Sequence, residues 1–187
     1  GIFLHNVTSL DISSGVGLGN HFVGSLQHGV LVSFSSDVDV RYNHFGRSTW
    51  LTPFFAETRI EYGVQVQNNC SNIDISRNQF WADGNTAIQL ISSDHCEMGY
   101  NQINTDSGWV QQRGTFGEGI VLISASNDNT LLANTIGYCS GDAIRVDGES
   151  ARNRISQNST SRNSGAPINL SNGGNQNMAT ADLDTID

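Results

Sequence analysis

The sequence predicts an all-β fold: a right-handed parallel β-helix of about seven rungs with an internal asparagine ladder. Three observations predict it. A Gly- or Ala-led apolar alternation recurs along the chain, an asparagine stands in register behind it, and charge is scarce while Gly, Ser, Thr and Asn abound.

The alternation supplies the first strand of each rung. Gly1-Ile-Phe-Leu, Gly29-Val-Leu-Val, Gly63-Val-Gln-Val, Ala87-Ile-Gln-Leu, Gly119-Ile-Val-Leu, Ala143-Ile-Arg-Val and Pro167-Ile-Asn-Leu all read as short strands of period two. A polar corner follows, then a second alternation: Leu10-Asp-Ile12, Val38-Asp-Val40, Ile73-Asp-Ile75, Cys96-Glu-Met98, and the weaker Leu131 and Ile155. Behind it stand Asn43, Asn78, Asn101, Asn134 and Asn158, and the bulky residues Phe45, Phe80, Ile103 and Ile136, with Thr160 last, open a third strand. The shortest repeats, such as Asn134 to Asn158, give a period of about 24 residues. Three strands with one inward face each cannot close a core alone, so rungs must stack. Ile2, Val30, Val64, Ile88, Ile120, Ile144 and Ile168 are then expected in one interior row. The asparagines suit the bend before the third strand, since their amides can satisfy buried corner backbone and the residue tolerates left-handed φ. A leucine-rich repeat is disfavoured by the missing L-x-x-L-x-L skeleton and helix, and an antiparallel sandwich by asparagines in register.

With 187 residues, 14% of them charged, the chain suits one domain over 1–187 and neither a bundle nor a coiled coil. It opens inside a strand pattern without Met, which reads as a piece of a longer chain. Lysine is absent, so no lysine base or Schiff base is available, and a net charge of −9 repels nucleic acid. No stretch has the length and apolarity of a membrane span. Cys70, Cys96 and Cys139 lack zinc spacing and are expected as small buried hydrophobes. N-x-S/T triplets occur at Asn6, Asn69, Asn158 and Asn169, and Asn158 falls on an interior position.

Stretches such as Gly63-Val-Gln-Val-Gln-Asn-Asn-Cys-Ser-Asn-Ile-Asp-Ile-Ser-Arg-Asn-Gln-Phe resemble the right-handed parallel β-helix proteins of the pectate-lyase-like superfamily, over nearly the whole chain. That resemblance implies a carbohydrate theme and an extracellular, cell-surface or virion-surface setting, but no single chemistry, because lyases, hydrolases, epimerases, phage tailspikes and adhesins share the architecture.

The breaks in the repeat carry the site expectations. Insert loops are expected at 46–62 and 104–118, with a smaller excess at 15–28, all after a third strand and before the next first strand. Trp50, Trp81 and Trp109 fall in successive rungs along that edge, either as an exposed sugar-stacking platform or as inward lids. Beside them, Gln65, Gln67 and Gln89 face outward from the first-strand sheet as amide contacts for hydroxyls, unable to act as acid or base. These residues favour recognition of a polysaccharide or glycan. The enzyme alternative draws titrating groups from Glu57, Arg59, Asp83, Asp106 and Arg113, with two carboxylates across a sugar sufficing for glycoside hydrolysis. Asn104-Thr-Asp106 resembles the opening of a polygalacturonase-type signature for three residues only, and the rest of that signature is missing. A third reading is a tailspike or adhesin spacer, a homotrimer if viral. No cofactor is required. The outward acidic row Asp39, Asp74 and Glu97 is the weak candidate for a metal, which would be calcium, against the alternative of a solvated face.

Overall fold

The computed structural model describes residues 1–13, 19–24, 26–46, 59–82, 84–105 and 116–175. Their strands form three sheets in which every pairing is parallel. The first sheet stacks Ile2–His5, Leu26–Ser33, Ile60–Gln67, Gly84–Ile91, Phe116–Ile123, Ile144–Asp147 and Ile168–Ser171. The second stacks Thr8–Ser13, Ser36–Arg41, Ser71–Ser76, Glu97–Gly99, Thr130–Leu132 and Arg154–Ser156. The third stacks His21–Phe22, His44–Gly46, Gln79–Trp81, Gln102–Ile103, Thr135–Gly137 and Ser159–Ser161. The chain visits the three in order six times and returns to the first, a winding consistent with a right-handed parallel β-helix. Ile2, Val30, Val64, Ile88, Ile120, Ile144 and Ile168 pair in one continuous row, as expected.

Period-two alternation sends Val38, Val40, Ile73, Ile75 and Met98 inward from the second sheet, where each is fully or almost fully buried. The third sheet contributes an aromatic stack: Phe22, Phe45 and Phe80 lie ring on ring, with centroids 4.7 and 4.6 Å apart. This stack explains the glycines that lead two of the first-sheet motifs. A Cβ on Gly29 would come within 2.5 Å of the Phe45 ring, and one on Gly63 within 2.6 Å of the Phe80 ring. Ala87 and Ala143 occur in rungs whose third-sheet interior residues are the smaller Ile103 and Thr160.

Corners bury polar backbone, so each must find partners there. At the bend between the second and third sheets, Oδ1 of Asn78, Asn101, Asn134 and Asn158 accepts the backbone N–H of the asparagine one rung earlier, at 2.9–3.0 Å. Nδ2 of Asn43, Asn78, Asn101, Asn134 and Asn158 donates to the carbonyl of Ile12, Val40, Ile75, Met98 and Leu131 respectively. Positive φ belongs to the residue before each asparagine: Tyr42, Arg77, Tyr100, Ala133 and Gln157 lie at 53–57°. Asparagine's tolerance of left-handed backbone is therefore not what selects it here; its two-sided amide is. The corner between the first and second sheets holds a hydroxyl and thiol file, in which Ser35 Oγ accepts from Val7 N–H, Cys70 Sγ from Ser35 N–H, Ser126 Oγ from Ser93 N–H, and Ser150 Oγ from Ser126 N–H. All three cysteines are buried and free.

Two boundaries differ from expectation. The smaller excess precedes a third strand, because Asn20 Nδ2 donates to Asn43 Oδ1 and His21–Phe22 pairs with His44 and Phe45. The first-sheet strands also begin upstream of their glycine, at Leu26, Ile60 and Phe116, so Glu61, Tyr62 and Glu118 are strand residues that belong to the sheet. Pairing of His28, Tyr62, Thr86 and Glu118 across rungs extends the ladder that far.

Candidate functional site

The outward glutamines expected on the first sheet belong to a row in which Phe3, Leu31, Gln65, Gln89, Val121, Arg145 and Asn169 pair in register. Its middle is a relay of amide and imidazole groups. Gln65 Nε2 donates to Gln89 Oε1 at 2.5 Å, and Gln65 Oε1 lies 2.9 Å from His28 Nε2. His28 in turn stacks on Tyr62. Yet this stretch is not open to solvent: Gln65 is 7% exposed, Gln89 9%, and Val121 is fully buried although it faces away from the core. Gln67, one row further along, is half-buried.

Beyond Val121 the face turns ionic. Arg145 grips Glu118 through Nε and a terminal nitrogen at 2.6 and 3.0 Å, and reaches Asp147 at 2.9 Å. Asp142 accepts from Asn169 Nδ2 and from the Ala166 N–H, both at 2.7 Å. Every carboxylate of this group is held by a donor, which suits a positioning lattice better than acid or base chemistry.

Of the three tryptophans, Trp81 ends a third-sheet strand, is 8% exposed, and leaves its buried indole Nε1 without a partner. Trp50 and Trp109 lie outside the described residues, as do Glu57, Asp83, Asp106 and Arg113. Arg59 is exposed just before its strand, its carbonyl accepting from Leu26 N–H at 2.8 Å. On the second sheet the acidic row is longer than expected, since Asp11 pairs with Asp39 ahead of Asp74 and Glu97. Arg41 sits between two of these acids, 2.9 Å from Asp39 and 2.8 Å from Asp74, supplying there the positive charge that a cation would bring. Burial nonetheless holds the Asp39 carboxyl above the usual carboxylate range. No group of three or more His, Cys, Asp or Glu side chains arranged to hold a metal occurs among the described residues.

The third sheet presents a different face. His21, His44, Gln79, Gln102, Thr135 and Ser159 pair rung to rung. The His21 and His44 rings stack at 4.6 Å, and Gln79 Nε2 donates to Gln102 Oε1 at 3.2 Å. Burial and the neighbouring His21 hold His44 below the usual imidazole value, and its Nδ1 is buried without a partner beside the Trp81 ring. One residue before each asparagine, at the adjoining corner, Arg77 lies over the rings of Tyr42 and Tyr100, at 5.7 and 5.0 Å.

No protein-family model matches the chain. No curated protein matches its sequence either, so the architecture stands on the residues and the geometry.

Sequence reasoning missed the third-sheet row. It followed inward residues and the asparagines, whereas the signal lay in the residue directly after each asparagine: His21, His44, Gln79, Gln102, Thr135 and Ser159 are all hydrogen-bonding side chains, with no acid, lysine or arginine among them. Arg145 with Glu118 was hidden because Glu118 read as part of an insert.

Proposed function

We propose that this chain is an extracellular carbohydrate-recognising β-helix module, akin to the pectate-lyase-like proteins its repeat resembles. The observation that carries the reading is the stacking of neutral amide, imidazole and hydroxyl side chains in register, flanked by aromatic rings. Sugars offer both hydroxyls that such groups can hydrogen-bond and C–H faces that rings can cover. Binding is favoured over catalysis because Glu61, Glu118, Asp142 and Asp147, carboxylates in or beside the first sheet among the described residues, are each engaged by a donor. A broad glycan array tests it: retention of at least one polysaccharide or oligosaccharide is expected, and silence across the array overturns it.

The enzyme alternative rests on the acids and arginines expected in the two inserts. Reducing-end, unsaturated-product and epimer assays on a polysaccharide panel separate it from binding, and product in any of the three would displace the binding-only reading. A spacer role is the outcome if no glycan is retained and the solution mass is that of three chains.

A further inference from the structure

We infer that the outer face of the third sheet is a track for a neutral, linear polysaccharide laid along the axis of the column, with His44, Gln79 and Gln102 as its central contacts. This rests on the carbohydrate reading above and assigns it a face, a direction and a charge class of ligand.

The three outer faces are chemically distinct. On the first, the amides of Gln65 and Gln89 are buried, and the more open positions are the apolar Phe3 toward one end and an arginine–carboxylate lattice toward the other. The second carries Asp11, Asp39, Asp74 and Glu97 in successive rungs, which repels anionic polymers and presents no amide row to a neutral one. Only the third sheet's row, among the described residues, runs through six rungs without a carboxylate, a lysine or an arginine. His44 belongs to that neutral set, because burial and His21 disfavour its cation. Every residue of the row from His44 to Ser159 is half-buried, and so partly open to solvent.

Spacing supplies the direction. Neighbouring strands lie about 4.8 Å apart, so the row extends for about 24 Å. The rung repeat is close to the length of one sugar unit in an extended chain, which lets successive units meet successive rungs. A glutamine amide can donate to one hydroxyl of a sugar and accept from the next, and Gln79 and Gln102 stand in adjacent rungs to do so. Tyr42 and Tyr100, braced by Arg77, border the row on the side of the asparagine corner, and Tyr100 is 48% exposed. On the opposite side stands Trp81. Its ring meets the His44 ring edge-on, with centroids 6.3 Å apart.

The test is affinity electrophoresis through gels containing hydroxyethylcellulose, galactomannan, xyloglucan or laminarin, with polygalacturonate as the anionic comparator. Retardation by at least one neutral polymer is expected, with a tenfold or greater loss of apparent affinity in the Gln79→Ala/Gln102→Ala double variant. Thr130→Ala, which removes a hydroxyl from the second sheet, should leave retardation unchanged. Thr135→Asp places a charge in the row and should weaken binding as well, so that the result does not hang on one variant, and thermal unfolding checks that each variant is folded. If the chain is retarded and both third-sheet variants bind as well as the parent, this face is wrong while the carbohydrate reading survives. Retardation by polygalacturonate alone overturns the neutral track, and a glycan-silent chain overturns both.

Discussion

Asn101 shows what one residue does in this fold. Its Oδ1 accepts from Asn78 N–H and its Nδ2 donates to the Ile75 carbonyl, all in a fully buried setting. Asn101→Leu strands both backbone groups, and each unsatisfied group costs about 1–3 kcal/mol. The expected destabilisation is therefore several kcal/mol in urea unfolding, against little for Asn20→Leu at the exposed first rung; equal effects would mean that the amide contacts carry no weight. Cysteine chemistry gives a second residue-scale expectation. Burial pushes the Cys96 and Cys139 thiols up to about 12 and raises Cys70 too. Native protein at pH 8 should be silent to a disulfide-exchange reagent and should react at all three thiols once unfolded. Fast native labelling would contradict the burial. His44, held below about 6.5, has the opposite consequence for acid. Its neutral form is favoured by the fold, so the stability it contributes is present above about pH 6.5 and is lost as pH falls toward its lowered value. His44→Gln should reduce the drop in thermal midpoint between pH 7.5 and pH 5, and an unchanged drop would remove His44 as its source.

Among elements, the first-sheet strand shows how interior size chooses sequence. Gly63→Ala pushes a methyl into the Phe80 ring and the Ala87 carbonyl, at 2.6 and 2.5 Å. Overpacking of this kind costs roughly 1–3 kcal/mol. Phe80→Ile, which copies the rung carrying Ala87 and Ile103, should recover part of the loss in a double-mutant cycle, and strict additivity would contradict the packing account. Such strands were legible because inward Val and Ile at period two leave a signature that survives insertions. The upstream halves of the same strands were not, since the sequence before Ile60-Glu-Tyr62 and Phe116-Gly-Glu118 carries no period-two alternation, and their pairing is fixed by the neighbouring rung and not by their own pattern. Asn20 escaped for a related reason: extra residues separate it from Ile12, so the short count from second strand to asparagine fails there. The candidate site was less legible than the fold. Outward positions carry no periodic constraint, and whether an outward glutamine is open, as Gln79 is in part, or buried, as Gln89 is, depends on what lies over it.

Over the whole molecule, three faces of one column carry three electrostatic characters, and net charge alone hides this. Acids stand in successive rungs of the second-sheet row, at Asp11, Asp39, Asp74 and Glu97, while the third-sheet row has no acid at all. Binding there should change little between low salt and 1 M NaCl, because no ion pair is formed to be screened. It should also survive a chelator, since Arg41 already lies between Asp39 and Asp74. A strong salt or chelator dependence in the electrophoresis would point to an ionic site elsewhere. The central claim, that stacked rungs recognise sugar along the column axis, is tested most directly by a crystal structure with an oligosaccharide drawn from the polymer that retards the chain most. Successive sugar units over His44, Gln79 and Gln102, one to a rung, are the predicted result; units lying across the first sheet, or along a strand instead of across strands, would contradict it.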